Sequence, residues 1–427
     1  MFYLSTNIPR INLWRWLLCA VCSLLFIGRC QSQFRPPQVD ITERDTVGYA
    51  FLNQDSTVLL NDRVLASVFE KMYRQRVQGG QKITIVHLGD SHVLGNFLTA
   101  EVRERLQIAF GEAGRGLVFP YKLAGSNGPR DYQFASESKW QSGNCHKDLS
   151  PETPFGISGF LLENAASTAK LTIRLKDTTT AETRLFTKVT VFQRASPAQY
   201  QLEVRDDVSG QIAQSFDNNE YARCFYFNKP VEQAILSARR TSPDQKKLSI
   251  DGVSLENELS GVVYHNIGIN GARFTDFLRA KYFTTQLGEL NPDLVILSFG
   301  TNEAQGKTEE RYLYKQLNQL IIRIREVAPN AQIMFTTPAD SYLRGKGFNP
   351  YMASTSQVIK TYALENNCAV WDLFTQSGGE KSAEMWKKSG LMSHDSVHYS
   401  INGYAAQGKL LYQSLIKSYN AFVTNRP

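Results

Sequence analysis

Short apolar runs alternate with longer amphipathic patterns near both ends of this chain. Five of the runs predict buried strands, at residues 83–88, 261–267, 293–299, 331–337 and 368–374. Apolar residues also recur at helical spacing, most clearly over 274–287, 312–328, 351–366 and 402–422. Strands that alternate with helices are typical of a parallel sheet covered on both faces. The pattern therefore predicts a three-layer α/β/α sandwich.

The pattern changes between about residues 132 and 261. Short alternating runs of apolar and polar residues dominate there, with polar turns between them and no long amphipathic helix. Alternation with a period of two predicts half-buried strands, and several of these in succession are typical of a β-sandwich. We therefore predict that a β-sandwich at 132–261 is inserted into one α/β domain, whose two parts are 33–131 and 262–427.

The first 32 residues have the pattern of a secretory signal peptide. Arg10 and Arg15 precede an apolar run at 16–27. This run is too short to span a bilayer. We expect cleavage after Ser32, a secreted or periplasmic protein, and no stable membrane span in the mature chain. The alternatives are an uncleaved N-terminal anchor and an outer-membrane lipoprotein attached through Cys30, which the neighbouring Arg29 disfavours.

Charge and cysteine content argue against two classes of function. The formal net charge of +7 falls to +4 without the first 32 residues, which hold three arginines and no acid. No basic run of five or more residues occurs, so nothing indicates nucleic-acid binding.

Cys145 and Cys224 could pair in an oxidising compartment, although the sequence leaves this open. No CxxC pair occurs after residue 32, so a structural zinc site is not expected.

Two short motifs contain residues suited to nucleophilic catalysis. Ser91, in GDSH, follows the first predicted strand at the sheet edge where α/β proteins bind ligands. His398, in DSVH, could accept the proton of Ser91 while Asp395 orients the ring. Each motif alone also has a structural interpretation, as a helix cap or a surface Asp–His hydrogen bond. A metal pair of His394 and His398 lacks a nearby third ligand, so we expect no metal.

Two further motifs offer hydrogen-bond donors at the same sheet edge. Asn302, in FGTNE, follows a predicted strand, and its side-chain amide can donate to a developing oxyanion. Gly271, in NIGING, can offer an unobstructed backbone N–H, and the N–H of Ser91 is a third donor. Taken singly, such an asparagine is usually a turn residue and such a glycine a backbone necessity. Together the four motifs predict a serine esterase that needs no cofactor.

The order and context of the four motifs resemble the SGNH hydrolases, also called the GDSL family. The resemblance covers residue 83 to about 132 and about 262 to the C-terminus, and it implies a flavodoxin-like fold. It implies these roles: the nucleophile Ser91, the base His398, its partner Asp395, and the oxyanion donors Ser91, Gly271 and Asn302. The chain departs from the family at His92, where an apolar residue is frequent, and in its large insertion.

GDSH followed by a β-rich insertion is similar to one subgroup, the bacterial peptidoglycan O-acetylesterases, whose insertion resembles a carbohydrate-binding module. This resemblance implies an acetylated polysaccharide substrate, with peptidoglycan as a candidate, and glycan binding by the insertion. We expect Asp90 and His92 to border the pocket. For His92 the alternative is a local structural hydrogen bond.

Three functions are compatible with these residues. The first is hydrolysis of acetyl esters on a cell-wall or other polysaccharide, through an acetyl-Ser91 intermediate. The second is an O-acetyltransferase, in which a sugar hydroxyl intercepts the same intermediate, and products formed with a glycan acceptor distinguish the two. The third is a non-catalytic glycan-binding protein, and the presence of every expected catalytic residue argues against it.

Overall fold

The computed structural model describes residues 37–150, 154–176, 185–194, 198–216 and 219–426. The helices are α1 (Ala66–Val77), α2 (Ser91–Leu94), α3 (Phe97–Phe110), α4 (Phe274–Arg279), α5 (Phe283–Glu289), α6 (Thr301–Gln305), α7 (Glu310–Val327), α8 (Tyr351–Glu365), α9 (Leu373–Gln376), α10 (Ser382–Lys388) and α11 (Ile401–Thr424). Short 3₁₀ helices lie at Glu43–Asp45, Gln54–Ser56 and Asp62–Leu65. The predicted signal peptide, with Cys30 and Ser32, lies outside the described residues.

The strands fall into a parallel group and a larger antiparallel group. In chain order they are β1 (Lys82–Gly89), β2 (Gly114–Val118), β3 (Tyr132–Ala135), β4 (Gln141–Asn144), β5 (Phe160–Asn164), β6 (Thr168–Leu175), β7 (Phe186–Phe192), β8 (Gln201–Asp206), β9 (Gln214–Phe216), β10 (Ala222–Val231), β11 (Gln233–Arg239), β12 (Leu248–Ile250), β13 (Gly252–Glu256), β14 (Gly261–Gly268), β15 (Leu294–Ser298), β16 (Gln332–Thr336), β17 (Tyr342–Leu343), β18 (Gly347–Phe348) and β19 (Ala369–Trp371).

Five parallel strands form the central sheet, in the order β14-β1-β15-β16-β19. Counted along the chain, this is the second, first, third, fourth and fifth strand, which is the flavodoxin-like order. The predicted fold class is therefore confirmed. The order changes direction at β1, so the turns that follow β1, β14 and β15 meet at one edge of the sheet, where ligands bind in open α/β sheets.

Helices cover both faces of this sheet, because its strands are apolar on both sides. Ile83 and Ile85 of β1 belong to an apolar cluster that includes buried residues of α1, α3, α10 and α11. Val86 and Leu88 belong to a second cluster, with buried residues of α4, α5, α7 and α8. Alternate residues of one strand thus pack into opposite layers, as the period of a strand requires.

The middle of the chain forms antiparallel sheets of orders β2-β13-β7-β10-β9, β3-β6-β11-β8 and β12-β5-β4. Buried residues of the two larger sheets, such as Val191 and Ile173, share one apolar cluster, as expected of a sandwich. This strand-rich region extends further toward the N-terminus than residue 132, because β2 pairs with β13. Since β2 and β13 are neighbours, the chain enters and leaves the strand-rich region at one place. The strand that follows this region, β14, therefore pairs with β1 along the whole length of both strands.

A buried ion cluster joins this region to the α/β layers. Asp131 accepts hydrogen bonds from Arg115 of β2, at 2.6 and 3.2 Å, and from Arg103 of α3, at 3.0 Å. Asn96 donates to the same carboxylate at 3.0 Å. Burial disfavours the charged carboxylate, but Arg115 and Arg103 outweigh this cost and hold the pKa of Asp131 below its usual value.

The cysteines and the helices bear on two further expectations. Cys145 and Cys224 are separate thiols, so the pairing that the sequence left open is not made. Cys145 lies just after β4 and Cys224 lies on β10, in a different sheet.

Within the described part of the chain, no helix has both the length and the apolar character needed to cross a membrane. Nor do the described residues include a cluster of three or more His, Cys, Asp or Glu side chains suited to holding a metal ion.

Candidate active site

Ser91 begins α2, directly after the carboxyl end of β1. The side chain of Asp90, not that of Ser91, caps this helix by accepting the N–H of His92 at 2.9 Å. Only glycine fits at position 89, because a Cβ atom there would lie 2.6 Å from the carbonyl oxygen of Ser298. The tight turn therefore leaves the Ser91 hydroxyl free to contact other side chains.

A chain of hydrogen bonds connects Ser91, His398 and Asp395. Ser91 Oγ lies 2.8 Å from His398 Nε2, and His398 Nδ1 lies 2.5 Å from Asp395 Oδ2. The loop between α10 and α11 carries both residues, so the pair at i and i+3 does bring the carboxylate under one imidazole nitrogen. This is the geometry in which a histidine can take the proton of a serine hydroxyl.

Asp395 is poised to remain ionised. Partial burial disfavours its charge, but hydrogen bonds from the His398 ring, from the backbone N–H groups of His398 and Val397, and from Ser393 lower its pKa well below the usual range. An ionised Asp395 accepts the Nδ1–H of His398. The neutral ring then presents the lone pair of Nε2 to Ser91.

Gly271 and Asn302 lie on the two turns beside Ser91 at the sheet edge. Gly271 follows β14 with φ of +79°, a conformation that L side chains rarely adopt. Asn302 lies in the first turn of α6, and its amide donates to Asp90 Oδ2 at 3.1 Å and to the carbonyl of Ala272 at 3.0 Å. Both amide hydrogens of Asn302 are thus engaged within the protein, and an oxyanion bound there would have to replace one of these two acceptors.

Asp90 is the buried acceptor of one of these amide hydrogens, with 1 % of its surface exposed. Burial raises the pKa of Asp90 to about 7, against the opposing effects of the His92 backbone N–H and the charge of His398. A carboxyl group with this pKa is only partly ionised near neutral pH, and its protonated form is a weaker acceptor for the Asn302 N–H than a carboxylate is.

His92 packs behind the reacting groups. Its Nδ1 hydrogen bonds to the hydroxyl of Tyr404 at 3.0 Å, and its ring centroid lies 5.1 Å from that of His398. Burial, with repulsion from His398, lowers the pKa of His92 to about 3, so the ring is neutral. His92 and Asp90 border a cavity of only about 40 Å³. The local hydrogen bond of His92 is present, whereas the lining of this cavity does not include Ser91 or His398, so the pocket role of His92 stays a prediction.

Two acidic residues beside the site carried no recognisable signal in the sequence. Glu303 is fully buried and accepts the backbone N–H of Gly300 at 3.0 Å and that of Phe274 at 2.9 Å. It thereby ties the FGTNE turn to the start of α4, and burial raises its pKa to about 7. Asp276, on α4, hydrogen bonds to His146 of the strand-rich region, at 2.8 Å. These contacts join residues far apart in the chain, which a spacing argument does not detect.

A cleft of about 350 Å³ lies close to the site. Aromatic side chains form much of its wall, and its lysine and arginine side chains are exposed; the lining includes Phe119, Tyr121, Tyr132, Phe134, Lys122, Arg130 and Lys176. Asn127 of this lining accepts a hydrogen bond from Asn270 at 2.5 Å. Because Asn270 precedes Gly271, the cleft begins beside the NIGING turn.

Comparison with known proteins finds one family model and several solved structures that are similar to parts or most of this chain. Residues 252–406 match the model of the GDSL-like lipase/acylhydrolase family. A solved structure described as a peptidoglycan O-acetylesterase is similar over 87 % of this chain and 98 % of its own, with a TM-score of 0.67 and 22 % identity. A lipase/acylhydrolase from Enterococcus faecalis is similar over 37 % of this chain and 77 % of its own, with a TM-score of 0.30 and 20 % identity. A search of curated protein sequences finds no significant match.

Proposed function

We propose that this chain, a carboxylic ester hydrolase with a GDSL-like lipase/acylhydrolase domain, removes O-acetyl groups from a cell-wall polysaccharide outside the cytoplasm. The observation that carries the proposal is the hydrogen-bonded chain from Ser91 through His398 to Asp395 at the carboxyl edge of the parallel sheet. Export directed by the first 32 residues would place such an enzyme with its polymer.

The proposed reaction proceeds through an acetyl-enzyme. His398 Nε2 takes the proton of Ser91 as the hydroxyl oxygen attacks the acetyl carbonyl. The N–H groups of Ser91 and Gly271, with the amide of Asn302, stabilise the oxyanion. His398 gives this proton to the departing sugar oxygen, which leaves as a hydroxyl. His398 then takes a proton from a water molecule whose oxygen attacks the acetyl carbon, and it returns that proton to Ser91 Oγ as acetate leaves.

The cleft beside the NIGING turn supports an acidic polymer as the substrate. Its aromatic side chains are buried, but the exposed side chains of Lys122, Arg130 and Lys176 attract carboxylates such as those of peptidoglycan. The structure described as a peptidoglycan O-acetylesterase has the same fold over nearly its whole length. Among acetylated polymers, peptidoglycan is therefore the substrate that we propose.

Acetate release from two polymers tests this proposal. Mature wild-type protein is expected to release acetate from O-acetylated peptidoglycan faster than from acetylated xylan, and Ser91→Ala is expected to release none above background from either. Acetate is measured enzymatically after equal incubation times. Equal rates for wild type and Ser91→Ala contradict the esterase assignment, whereas a preference for xylan contradicts only the polymer.

Gly271→Ala tests the oxyanion site. A Cβ atom at this position would lie 2.7 Å from His146 Nε2, and a φ of +79° disfavours any L side chain, so we expect the turn to shift and its N–H to move. We expect kcat for p-nitrophenyl acetate to fall about 10²- to 10³-fold, the effect of losing one oxyanion donor. Gly210→Ala is the matched control, since φ there is +72° and the added atom meets nothing within 4 Å. Equal kinetics for the two variants would remove Gly271 from the site.

A further inference from the structure

A histidine of the strand-rich region lies beside the proposed oxyanion donor. His146 lies in the turn that follows β4, in the three-stranded sheet. The position that a Cβ atom would occupy on Gly271 is 2.7 Å from His146 Nε2, 3.2 Å from its Cδ2 and 3.3 Å from its Cε1. The tip of the imidazole therefore rests on the NIGING turn itself.

The other ring nitrogen of His146 is held from the hydrolase side. His146 Nδ1 bonds to Asp276 Oδ2 at 2.8 Å, and the Asp276 side chain is only 4 % exposed. Asp276 also accepts the backbone N–H of Arg273 at 2.9 Å and pairs with Arg279. A carboxylate is purely an acceptor, so it selects the tautomer of His146 with hydrogen on Nδ1. Nε2 of the neutral ring is then an acceptor.

The turn that carries His146 is anchored on both sides. Cys145 is fully buried, its N–H donates to the carbonyl of Gly159 at 2.9 Å, and its carbonyl accepts from Arg279 at 3.1 Å. Gly159 in turn packs so closely on Ile269 of the NIGING segment that a Cβ atom there would lie 2.3 Å from the Ile269 side chain. The strand-rich region thus presents His146 on a rigid support.

The free end of the ring is available to a ligand. The His146 side chain is 35 % exposed, and among the described residues no hydrogen-bond partner is found for its Nε2. An ordered acceptor that is directed at the oxyanion turn, yet unused within the protein, is suited to a donor group of the substrate.

We propose that His146 binds the substrate directly, accepting at Nε2 a hydrogen bond from a hydroxyl or amide N–H of the sugar that bears the acetyl group. Asp276 is the positioning residue that fixes the tautomer. The inference rests on the proposed function, because it requires the ester to be attached to a sugar. It assigns to the insertion a part in substrate recognition at the reacting bond itself, rather than at a distance along the polymer.

Two substitutions separate the two ends of the ring. In His146→Asn the side-chain amide can replace Nδ1 at Asp276 but does not reach the position of Nε2, whereas in His146→Gln it extends to that position. We expect His146→Asn to lower kcat/KM for O-acetylated peptidoglycan about tenfold, the value of one hydrogen bond, and His146→Gln to retain more activity. On p-nitrophenyl acetate, which carries no sugar, we expect His146→Asn to lose clearly less activity than it loses on O-acetylated peptidoglycan.

The outcomes distinguish this inference from the proposed function. An equal loss on both substrates means that His146 supports the oxyanion turn, and no loss on either means that it does not touch the sugar; each result overturns the inference while Ser91-dependent turnover stands. Absence of Ser91-dependent turnover in the wild type overturns the function instead.

A binding measurement tests the contact between His146 and the sugar without turnover. The affinity of Ser91→Ala for O-acetylated peptidoglycan is compared with that of the double variant Ser91→Ala, His146→Asn. Affinity that is about tenfold weaker supports it, and unchanged affinity overturns it.

Discussion

His398→Ala is expected to lower kcat for p-nitrophenyl acetate by about four to six orders of magnitude, because removing the base of a serine–histidine pair disables the nucleophile as well. The structure places His398 Nε2 2.8 Å from Ser91 Oγ. It also places His92 behind this ring, but its Nδ1 is engaged by Tyr404, and burial lowers its pKa to about 3. His92 is therefore a poor substitute base.

His394→Ala is the matched control for His398→Ala. His394 is exposed in the same loop, four residues earlier, and it is the partner that the alternative metal pair would require. We expect its kcat to stay within twofold of wild type. If the two variants lose activity equally, the metal-pair interpretation regains support; if His398→Ala keeps more than a tenth of the activity, His398 is not the base.

Asp131→Ala is expected to lower the free energy of unfolding by about 3–5 kcal/mol, the cost of removing one partner from a buried ion pair. The carboxylate lies between Arg103 and Arg115, whose side chains are 5 % and 4 % exposed. Its loss leaves two like charges buried together without the carboxylate that both of them contact. Urea denaturation followed by tryptophan fluorescence measures the change.

The contribution of Asp131 to the free energy of unfolding is expected to depend on pH. The pKa of folded Asp131 lies below its unfolded value of about 3.9, so its stabilisation is fully present above that pH and is lost as the pH falls through the folded pKa. The gap in stability between wild type and Asp131→Ala should therefore be constant from pH 5 to 7 and narrow below about pH 3.9. Asp244→Ala, at an exposed position, is the control, with an expected change within about 0.5 kcal/mol.

The predictions that the structure confirms, namely the strands of the central sheet and their layers, came from the local pattern of apolar residues. The apolar runs are strands because both faces of the central sheet are covered. The first four positions of β15, for example, are buried and form a continuous apolar segment. The GDSH, NIGING and FGTNE motifs follow β1, β14 and β15. The carboxyl ends of parallel strands share one edge, so strand order alone brings these motifs together.

The same kind of pattern was less informative for the strand-rich region. The segment that forms β2 has glycines at positions 114 and 116, both with positive φ, and a buried arginine between them, so it lacks the alternation that marks a strand. This segment is a strand because it pairs with β13, about 135 residues later in the chain. Glycine is required at position 114, because a Cβ atom there would lie 2.4 Å from the Cα of Glu256.

By itself, the sequence determined the α/β layers and a strand-rich region in the middle of the chain, and it nominated Ser91, His398 and Asp395 as the reacting residues, since periodicity and short motifs are local properties of a chain. Only the tertiary structure decided that Asp90 holds the Asn302 amide, that Asp131 joins two arginines, and that the insertion places His146 against Gly271. These are contacts between residues brought together by packing, and their geometry depends on the position of whole sheets rather than on the spacing of residues along the chain.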